Sequence, residues 1–152
     1  MTTPGSSREA PSRGGAIARG IVRVLLGAFL LLAGIGHLSF AREEFRAQVP
    51  PWLPLDADFV VVASGVVEIG LGLALLLLRR RRALVGLVVA AFFVAVLPGN
   101  IAQWTEGRDA FGLDSDAARF TRLLFQPLLV IAALWSTGAW RAIRRWWRER
   151  RT

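Results

Sequence analysis

Four apolar segments, each about 20 residues long, constrain the fold of this chain more than any other feature of its sequence. They run from about 20 to 40, 58 to 78, 83 to 103 and 119 to 140. A helix needs about 20 residues to cross a hydrocarbon layer of roughly 30 Å, and inside that layer the backbone must satisfy its own hydrogen bonds. The sequence therefore predicts an all-α fold, an integral membrane four-helix bundle over residues 20–140.

The segments that flank the bundle are polar. Residues 1–19 are rich in Ser, Gly, Pro and Arg, which predicts a disordered tail. Residues 141–152 form a basic tail, RAIRRWWRERRT, in which Trp146 and Trp147 lie among arginines. This pattern is typical of an amphipathic helix on a membrane surface. The first apolar segment lacks a small-x-small cleavage site, so it is predicted to be a retained helix rather than a signal peptide.

The charges of the loops predict the orientation. The chain carries 19 Lys+Arg, all of them Arg, against 11 Asp+Glu. The N-terminal flank, the RRRR loop at 79–82 and the C-terminal tail are basic, whereas the loops at 41–57 and 105–117 are mainly acidic. Basic loops remain in the cytoplasm, so both termini are predicted to be cytoplasmic. The positive charge therefore indicates contact with anionic lipid and no nucleic acid.

Composition also limits the chemistry of the chain. There is no Cys and one His, which excludes thiol redox chemistry, Cys-ligated metals and a His-cluster metal site within one chain. The sequence contains no recognisable nucleophile–base pair, phosphate-binding loop or metal-ligand spacing. It therefore predicts no catalytic residues and no metal, and it disfavours an enzyme that acts alone. An Arg-rich chain without Lys is typical of a GC-rich bacterial genome, so the predicted location is the bacterial cytoplasmic (inner) membrane.

Polar side chains lie at matched depths inside the apolar segments. A charged group at the centre of a bilayer costs roughly 2.5–3.5 kcal/mol, so such groups are expected to face the interior of the bundle. Glu68 lies about 15 Å from the outer end of its segment, and Ser64 lies one turn above it. Each segment contributes a polar group to the outer half. The sequence predicts one ligand-binding cluster that is open to the outer side: His37, Ser64, Glu68, Asn100, Arg122 and Gln126.

Two members of this cluster have structural interpretations that compete with ligand binding. The position of His37 near the outer end of its segment is also consistent with a location among the lipid headgroups. Glu68 fits either a proton or ligand site or a structural partner of Arg122. We expect Glu68 to face inward and to interact with the polar face of the fourth segment, with Arg122 or Gln126 nearest, because an unpaired carboxylate at that depth is costly.

The remaining members also have structural alternatives. Asn100 follows Pro98, and Gln126 precedes Pro127, so both amides are placed to cap backbone groups that proline leaves unpaired.

The small residues of the second segment are expected to allow close helix packing: Gly65, Gly70 and Gly72.

The linker at 41–57 is unusually long for a loop in a helical bundle. Its VPPWLP motif contains Pro50, Pro51 and Pro54, which exclude a regular helix there. Trp52 beside these prolines predicts an aromatic anchor at the membrane interface. We expect the segment to pack at the outer interface and to cover the polar cluster.

Four motifs together give the chain a family resemblance. They are AGIGHLSF, VPPWLP, ASGVVEIGLGLALL and AVLPGNIAQ, in that order. Over residues 21–135 the chain resembles the DoxX-like membrane proteins. The resemblance implies a four-helix bundle, and it places five residues at positions of the family pattern: His37, Ser64, Glu68, Pro98 and Asn100. The family takes its name from a subunit of a thiosulfate:quinone oxidoreductase, and most members have no assigned activity.

Three functions are compatible with the small size of the chain, its polar cluster and the lack of a catalytic constellation. The first is a non-catalytic membrane subunit or assembly factor. The second is a quinone- or lipid-binding subunit of an oxidoreductase system, with the polar cluster as the quinone site. The third is a small proton-coupled transporter in which Glu68 carries the proton. The expected partners are the lipid bilayer and an oxidoreductase, another membrane protein or a second copy of the chain. Because the chain has no Cys, the sequence argues against a thiol-based redox role.

Overall fold

The computed structural model describes residues 13–151, and this part of the chain consists of helices joined by turns. In chain order the helices are α1 Arg13–Leu38, α2 Arg42–Arg46, α3 Ala57–Leu77, α4 Arg82–Thr105, α5 Asp116–Thr137 and α6 Ala139–Glu149, with a 3-10 turn at Arg79–Arg81. By length and composition, α1, α3, α4 and α5 are each long and apolar enough to cross a membrane. The prediction of an all-α chain with four long apolar helices is confirmed.

Two of the long helices begin after residues whose side chains cap them. Asp56 precedes α3, and its Oδ1 accepts a hydrogen bond from the Phe59 N–H at 2.9 Å. Ser115 precedes α5, and its Oγ accepts a hydrogen bond from the Ala118 N–H at 3.3 Å. Such caps satisfy N–H groups that have no partner in the first turn of a helix. The Ser115 cap explains why α5 begins about one turn earlier than the apolar segment predicted.

The N-terminal flank is partly helical. Because α1 begins at Arg13, residues 13–19 continue the first long helix, and the predicted disordered tail is wrong for them. Ala and Arg favour helix, and this stretch contains no Pro. The rest of the predicted tail, residues 1–12, lies outside the described residues.

The C-terminal region also differs from the prediction. The helix predicted over 119–140 ends at Thr137, because Gly138 adopts a left-handed backbone with φ of 76°. Glycine reaches this conformation without the steric cost of a Cβ, which makes it a frequent helix stop. Directly after it α6 begins, so the basic tail is helical as far as Glu149, which agrees with the helix predicted for this segment.

Helices α1 and α3 are antiparallel and approach each other through glycines. A Cβ added to Gly34 would lie 2.6 Å from the carbonyl oxygen of Gly65, and one added to Gly72 would lie 2.8 Å from that of Gly27. Neither site has room for a larger residue, so the two backbones are in direct contact. The predicted close packing is confirmed for Gly65 and Gly72. It is wrong for Gly70, where an added Cβ would meet no atom within 4 Å.

Helices α4 and α5 form a second antiparallel pair. A Cβ added to Gly86 on α4 would lie 1.9 Å from the Thr137 hydroxyl oxygen on α5. Helix α1 also packs on α5, and α3 packs on α4, so the four long helices close into a bundle. Its centre contains buried residues from each helix: Leu30, Leu75, Val89 and Ala133.

The two ends of the bundle carry different charges. Here the basic end means the end with the start of α1, the 3-10 turn and α6, and the acidic end means the opposite one. Within residues 13–151, every acidic residue lies at the acidic end except Glu68, inside the bundle, and Glu149, on α6. The acidic residues therefore gather at one end of the bundle, opposite the end that carries the RRRR segment and α6.

Candidate functional site

The buried ionisable groups His37 and Glu68 lie in contact. Each residue is less than a tenth exposed, and Nδ1 of His37 lies 3.0 Å from Oε2 of Glu68. The same Nδ1 lies 2.9 Å from the carbonyl oxygen of Ala33, one turn earlier on α1. The carbonyl is the better aligned acceptor, and Oε2 has no aligned donor of its own. The contact between the Glu68 carboxylate and the imidazole is therefore not a well-directed hydrogen bond.

The offset between α1 and α3 brings these two residues together. A Cβ on Gly65 would lie 2.7 Å from the Cβ of His37, so the end of α1 is level with Gly65 and not with the start of α3. Glu68 follows Gly65 by less than one turn. As a result, a histidine at the last turn of its own helix reaches a carboxylate well inside α3.

A row of aromatic rings covers the His37 side of the site. Phe45 of α2 stacks on the His37 imidazole, with 3.4 Å between ring centroids and 16° between the planes. Phe111 meets Phe45 edge-on at 4.7 Å. The Arg122 guanidinium then lies 4.7 Å from the centroid of Phe111, close enough for a cation–π interaction. The row connects α1, α2, the loop before α5, and α5 itself.

The backbone of Phe111 has the unusual φ of 57°. A residue with a side chain rarely adopts this conformation, which costs about 1–3 kcal/mol. The Phe111 N–H donates to Oε2 of Glu44 at 2.5 Å, and the ring contacts hold the side chain in place. The strain is therefore offset by contacts that direct the ring towards Phe45 and Arg122.

The predicted interaction of Glu68 with α5 is found in part, because its charge interacts with that of Arg122 although its nearest ionisable partner lies on α1. Within residues 13–151, the ion-pair partner of Glu68 is His37 rather than Arg122. Arg122 is half-buried and is close enough to Glu68 for their charges to interact, but the two groups are not in contact. Its direct contact is the Phe111 ring. Arg122 and Glu68 therefore flank the same site from different helices without neutralising each other directly.

The amide of Gln126 has a structural role. Its Nε2 donates to the carbonyl oxygen of Phe93 on α4 at 3.0 Å, and the side chain is buried. Pro98 has no N–H, so it leaves the carbonyl of Val94, the residue after Phe93, without its helical donor. Gln126 thus supports the backbone of α4 next to the turn that Pro98 weakens. The predicted capping beside Pro127 is replaced by a bond between two helices.

Asn100 has a buried oxygen without a hydrogen-bond partner, and Ser64 lies close to Glu68 in the sequence of α3. Asn100 is buried, and its Oδ1 has no donor within the described residues. Capping of a carbonyl freed by Pro98 would use the Nδ2 of Asn100 and stays a prediction. Ser64 is half-buried one turn above Glu68. Buried polar atoms without partners are uncommon and destabilising. The Oδ1 of Asn100 is therefore available to a water molecule or to a polar ligand.

Two loops form a cap over the acidic end, and no sequence pattern indicates most of the contacts within it. The cap comprises residues 41–56 and 106–115. Arg108 donates to the carbonyl oxygens of Ala47 and Val49, at 3.3 and 2.9 Å, and also pairs with Glu106 at 2.6 Å. Arg42 pairs with Asp58, and this hydrogen bond raises the pKa of Arg42. The cap is thus bound to itself and to the bundle by charged groups.

Arg119 fixes the second loop of the cap to α5. This residue is 8% exposed, and its guanidinium contacts Asp109 at 2.6 Å and Asp116 at 2.8 Å, as well as the Leu113 carbonyl oxygen at 3.1 Å. The spacing of Asp116 and Arg119 is the one signal in the sequence that could have indicated this pairing. The other partners depend on the path of the loop.

The linker at 41–57 covers part of the site, because its residue Phe45 stacks on the His37 imidazole. It differs from the prediction in containing α2, because its prolines begin only at Pro50 and leave the preceding residues free to form a helical turn. Pro50 is buried, whereas Pro51, Trp52 and Pro54 are exposed. The interfacial role of these four residues stays a prediction.

The chemistry that the described site offers is that of one imidazole beside one carboxylate. His37 and Glu68 supply one imidazole and one carboxylate, and no group of three His, Cys, Asp or Glu that could hold a metal occurs within residues 13–151. The open groove on α6 and the one beside Trp104 include no member of the cluster. Of the six predicted residues, the structure pairs His37 with Glu68, while Gln126 serves the backbone.

Comparison with known proteins identifies one family. No curated protein and no solved structure matches the chain. A family model described as a domain of unknown function, DUF8561, matches residues 26–137. That range begins in α1, ends with α5 and contains all six residues of the predicted cluster. Because the match covers most of the chain, the protein belongs to the DUF8561 family.

Proposed function

We propose that this protein is a multi-pass membrane protein in which α1, α3, α4 and α5 cross the bacterial cytoplasmic membrane. Large apolar side chains cover the outward faces of these helices, far beyond the patches that soluble proteins expose. Examples from each helix are half or more exposed: Leu25, Leu32, Val66, Leu84, Phe125 and Ile131. Hydrocarbon is the solvent in which such a surface is stable.

The charge of the two ends supports an orientation with both termini in the cytoplasm. The basic end carries the start of α1, the 3-10 turn and α6, and it corresponds to the cytoplasmic side under the rule for basic loops. In α6 the exposed side chains of Trp140, Trp146 and Trp147 alternate with arginines, and Arg150 lies 4.0 Å from the Trp146 ring. This helix suits the boundary between lipid headgroups and acyl chains.

The function that the site supports best is that of a DoxX-like, non-catalytic membrane subunit or assembly factor. The observation that carries this proposal is the acidic cap. Its charged residues, led by Arg108 and Arg119, contact the cap and the bundle and so hold two loops as one fixed surface. A surface that is already ordered loses little entropy when it binds a protein partner. Turnover of a substrate would instead require groups that are free to react.

The experiment separates membrane insertion from partner binding. The tagged chain is expressed in its native host, and carbonate-washed membranes are tested for its retention. Native electrophoresis of mildly solubilised membranes then measures the size of its complex. We expect the wild-type chain in a complex larger than its own dimer, and we expect Arg119→Gln to release it while leaving it in the membrane. Migration as a free chain in both cases would rule out the subunit role.

A second candidate is a quinone-binding subunit, favoured by the buried His37–Glu68 pair. A quinone presents carbonyl oxygens that accept hydrogen bonds, and on reduction it takes up protons that such a pair can supply. Phe45 stacks on the His37 imidazole, so the side of the site next to this pair is aromatic and apolar, as a quinone ring would require. Solvent extraction of the purified protein should yield about one quinone per chain, and His37→Phe should abolish it. Trace amounts in the wild type would reject this candidate.

A further inference from the structure

A group of three arginines at the basic end lies apart from the acidic cap. Arg23 is on α1, one turn before Gly27, and a Cβ on Gly27 would lie 2.9 Å from the side chain of Leu76 near the end of α3. One turn further along this antiparallel pair, Arg23 becomes level with the 3-10 turn that begins at Arg79. The charges of Arg79 and Arg82 are both close enough to repel that of Arg23.

Arg23 has no anion among the described residues. Its side chain is half-buried, and its Nε is enclosed without a hydrogen-bond acceptor. It forms no ion pair within residues 13–151, and apart from Glu149 on α6 the acidic residues of that range lie at the acidic end or inside the bundle. A guanidinium that has lost water is stable only with a compensating negative charge. The repulsion from two further arginines increases this need.

We propose that Arg23, Arg79 and Arg82 bind the phosphate group of an anionic phospholipid. The planar fork of Arg matches two oxygens of a phosphate, and three forks from different directions can neutralise one such group. The exposed apolar residues that flank Arg23 on α1, Ile21 and Val24, offer a surface to the acyl chains. This inference rests on the proposed membrane location, which places the basic end among lipid headgroups.

The arginine run of the 79–82 loop provides a matched control. Arg79 and Arg82 interact with Arg23, whereas Arg80 and Arg81 are not among the groups that do so. All four are exposed and belong to the same loop. Arg79→Gln with Arg82→Gln therefore removes the same charge, from the same place in the chain, as Arg80→Gln with Arg81→Gln. A specific site distinguishes the two double variants, and general attraction to a negative surface does not.

The test is native mass spectrometry of the full chain in detergent, titrated with phosphatidylglycerol or with phosphatidylcholine. We expect one phosphatidylglycerol to bind more tightly than any phosphatidylcholine. Arg79→Gln with Arg82→Gln should weaken that first binding step about tenfold or more, since each lost contact is a charged hydrogen bond. Arg80→Gln with Arg81→Gln should leave it within about twofold. Arg23→Gln alone should weaken it as well, which keeps the test decisive if the first double variant does not fold.

Three results would overturn the inference. Equal weakening by the two double variants would mean that only net charge matters. Equal binding of the two lipids would mean that the three arginines do not select an anionic phospholipid. Displacement of the lipid by excess inorganic phosphate would mean that the site serves a free anion. Carbonate washing and circular dichroism of each variant establish separately that membrane insertion and helix content persist.

Discussion

At the scale of single residues, the partner of Glu68 shows what a sequence leaves open. Depth along each helix can be counted from the sequence, and that count placed Glu68 near the middle of its span. The offset between helices cannot be counted, because it depends on where the backbones touch. Here the backbones of α1 and α3 touch at Gly34 and Gly65, and this contact brings the end of α1 level with Glu68. The carboxylate therefore contacts His37, while Arg122 interacts with the Phe111 ring.

The first prediction is a coupling between His37 and Glu68. We expect Glu68→Gln and His37→Gln to destabilise the protein, and we expect the double variant to lose less than the sum of the two. Groups in direct contact give coupling energies of about 0.5–3 kcal/mol in such cycles. The measurement is thermal unfolding in detergent of the wild type, both single variants and the double variant.

The matched control for this coupling pairs Glu68→Gln with Arg122→Gln. Those two residues interact only at a distance, so their effects should be closer to additive than those of His37 and Glu68. A larger coupling with Arg122 than with His37 would show that α5, and not α1, provides the partner of the carboxylate.

At the scale of helices, the contact between α1 and α3 determines much of the arrangement at the site. The second prediction compares two glycines of α3. Gly65→Ala places a methyl group 2.7 Å from the Cβ of His37, so we expect a loss of about 1–3 kcal/mol in stability. Gly70→Ala meets nothing within 4 Å and should be neutral, or stabilising by up to about 1 kcal/mol through helix propensity. Melting temperatures of the two variants test this, and equal losses would contradict the packing.

The third prediction concerns the first loop of the cap. The chain has no Cys, so single cysteines can be introduced without a background signal. Val49 is 9% exposed and Leu55 is 54% exposed, although both lie in the same linker. We expect a maleimide to label Val49→Cys about tenfold or more slowly than Leu55→Cys, since reaction at a buried site requires local opening. Equal rates at the two positions would describe a loop that does not pack on the bundle.

The sequence predicts the long helices well and the short helix α2 and the loop contacts poorly. The long apolar helices follow directly from length and composition, and their caps at Asp56 and Ser115 fit known preferences. The short helix α2, Arg42–Arg46, does not follow from the linker's prolines, because these begin only at Pro50 and restrict the backbone from there on. The contacts of Arg108 with Ala47 and Val49 join segments about 60 residues apart in sequence. No local pattern encodes such contacts.

At the scale of the whole molecule, charge and topology agree. The four long helices alternate in direction, so the start of α1, the 3-10 turn and the end of α5 lie at one end of the bundle. That end is basic, and the opposite end holds almost all of the acidic residues. A sequence pattern in the loops has thus become a physical separation of charge along the axis of the bundle. A lipid membrane with a negative cytoplasmic surface favours one orientation of such a molecule.

The last prediction is that orientation. Fusions after residues 48, 81, 112 and 152 are each made with alkaline phosphatase, which is active outside the cytoplasm, and with a green fluorescent protein, which folds inside it. We expect phosphatase activity at 48 and 112 and fluorescence at 81 and 152, because basic segments resist translocation. The two reporters control for expression, since each site should give one signal and lack the other. Phosphatase activity at 81 or 152 would place the basic end outside, and the arginines of the 3-10 turn would then face away from the anionic cytoplasmic leaflet.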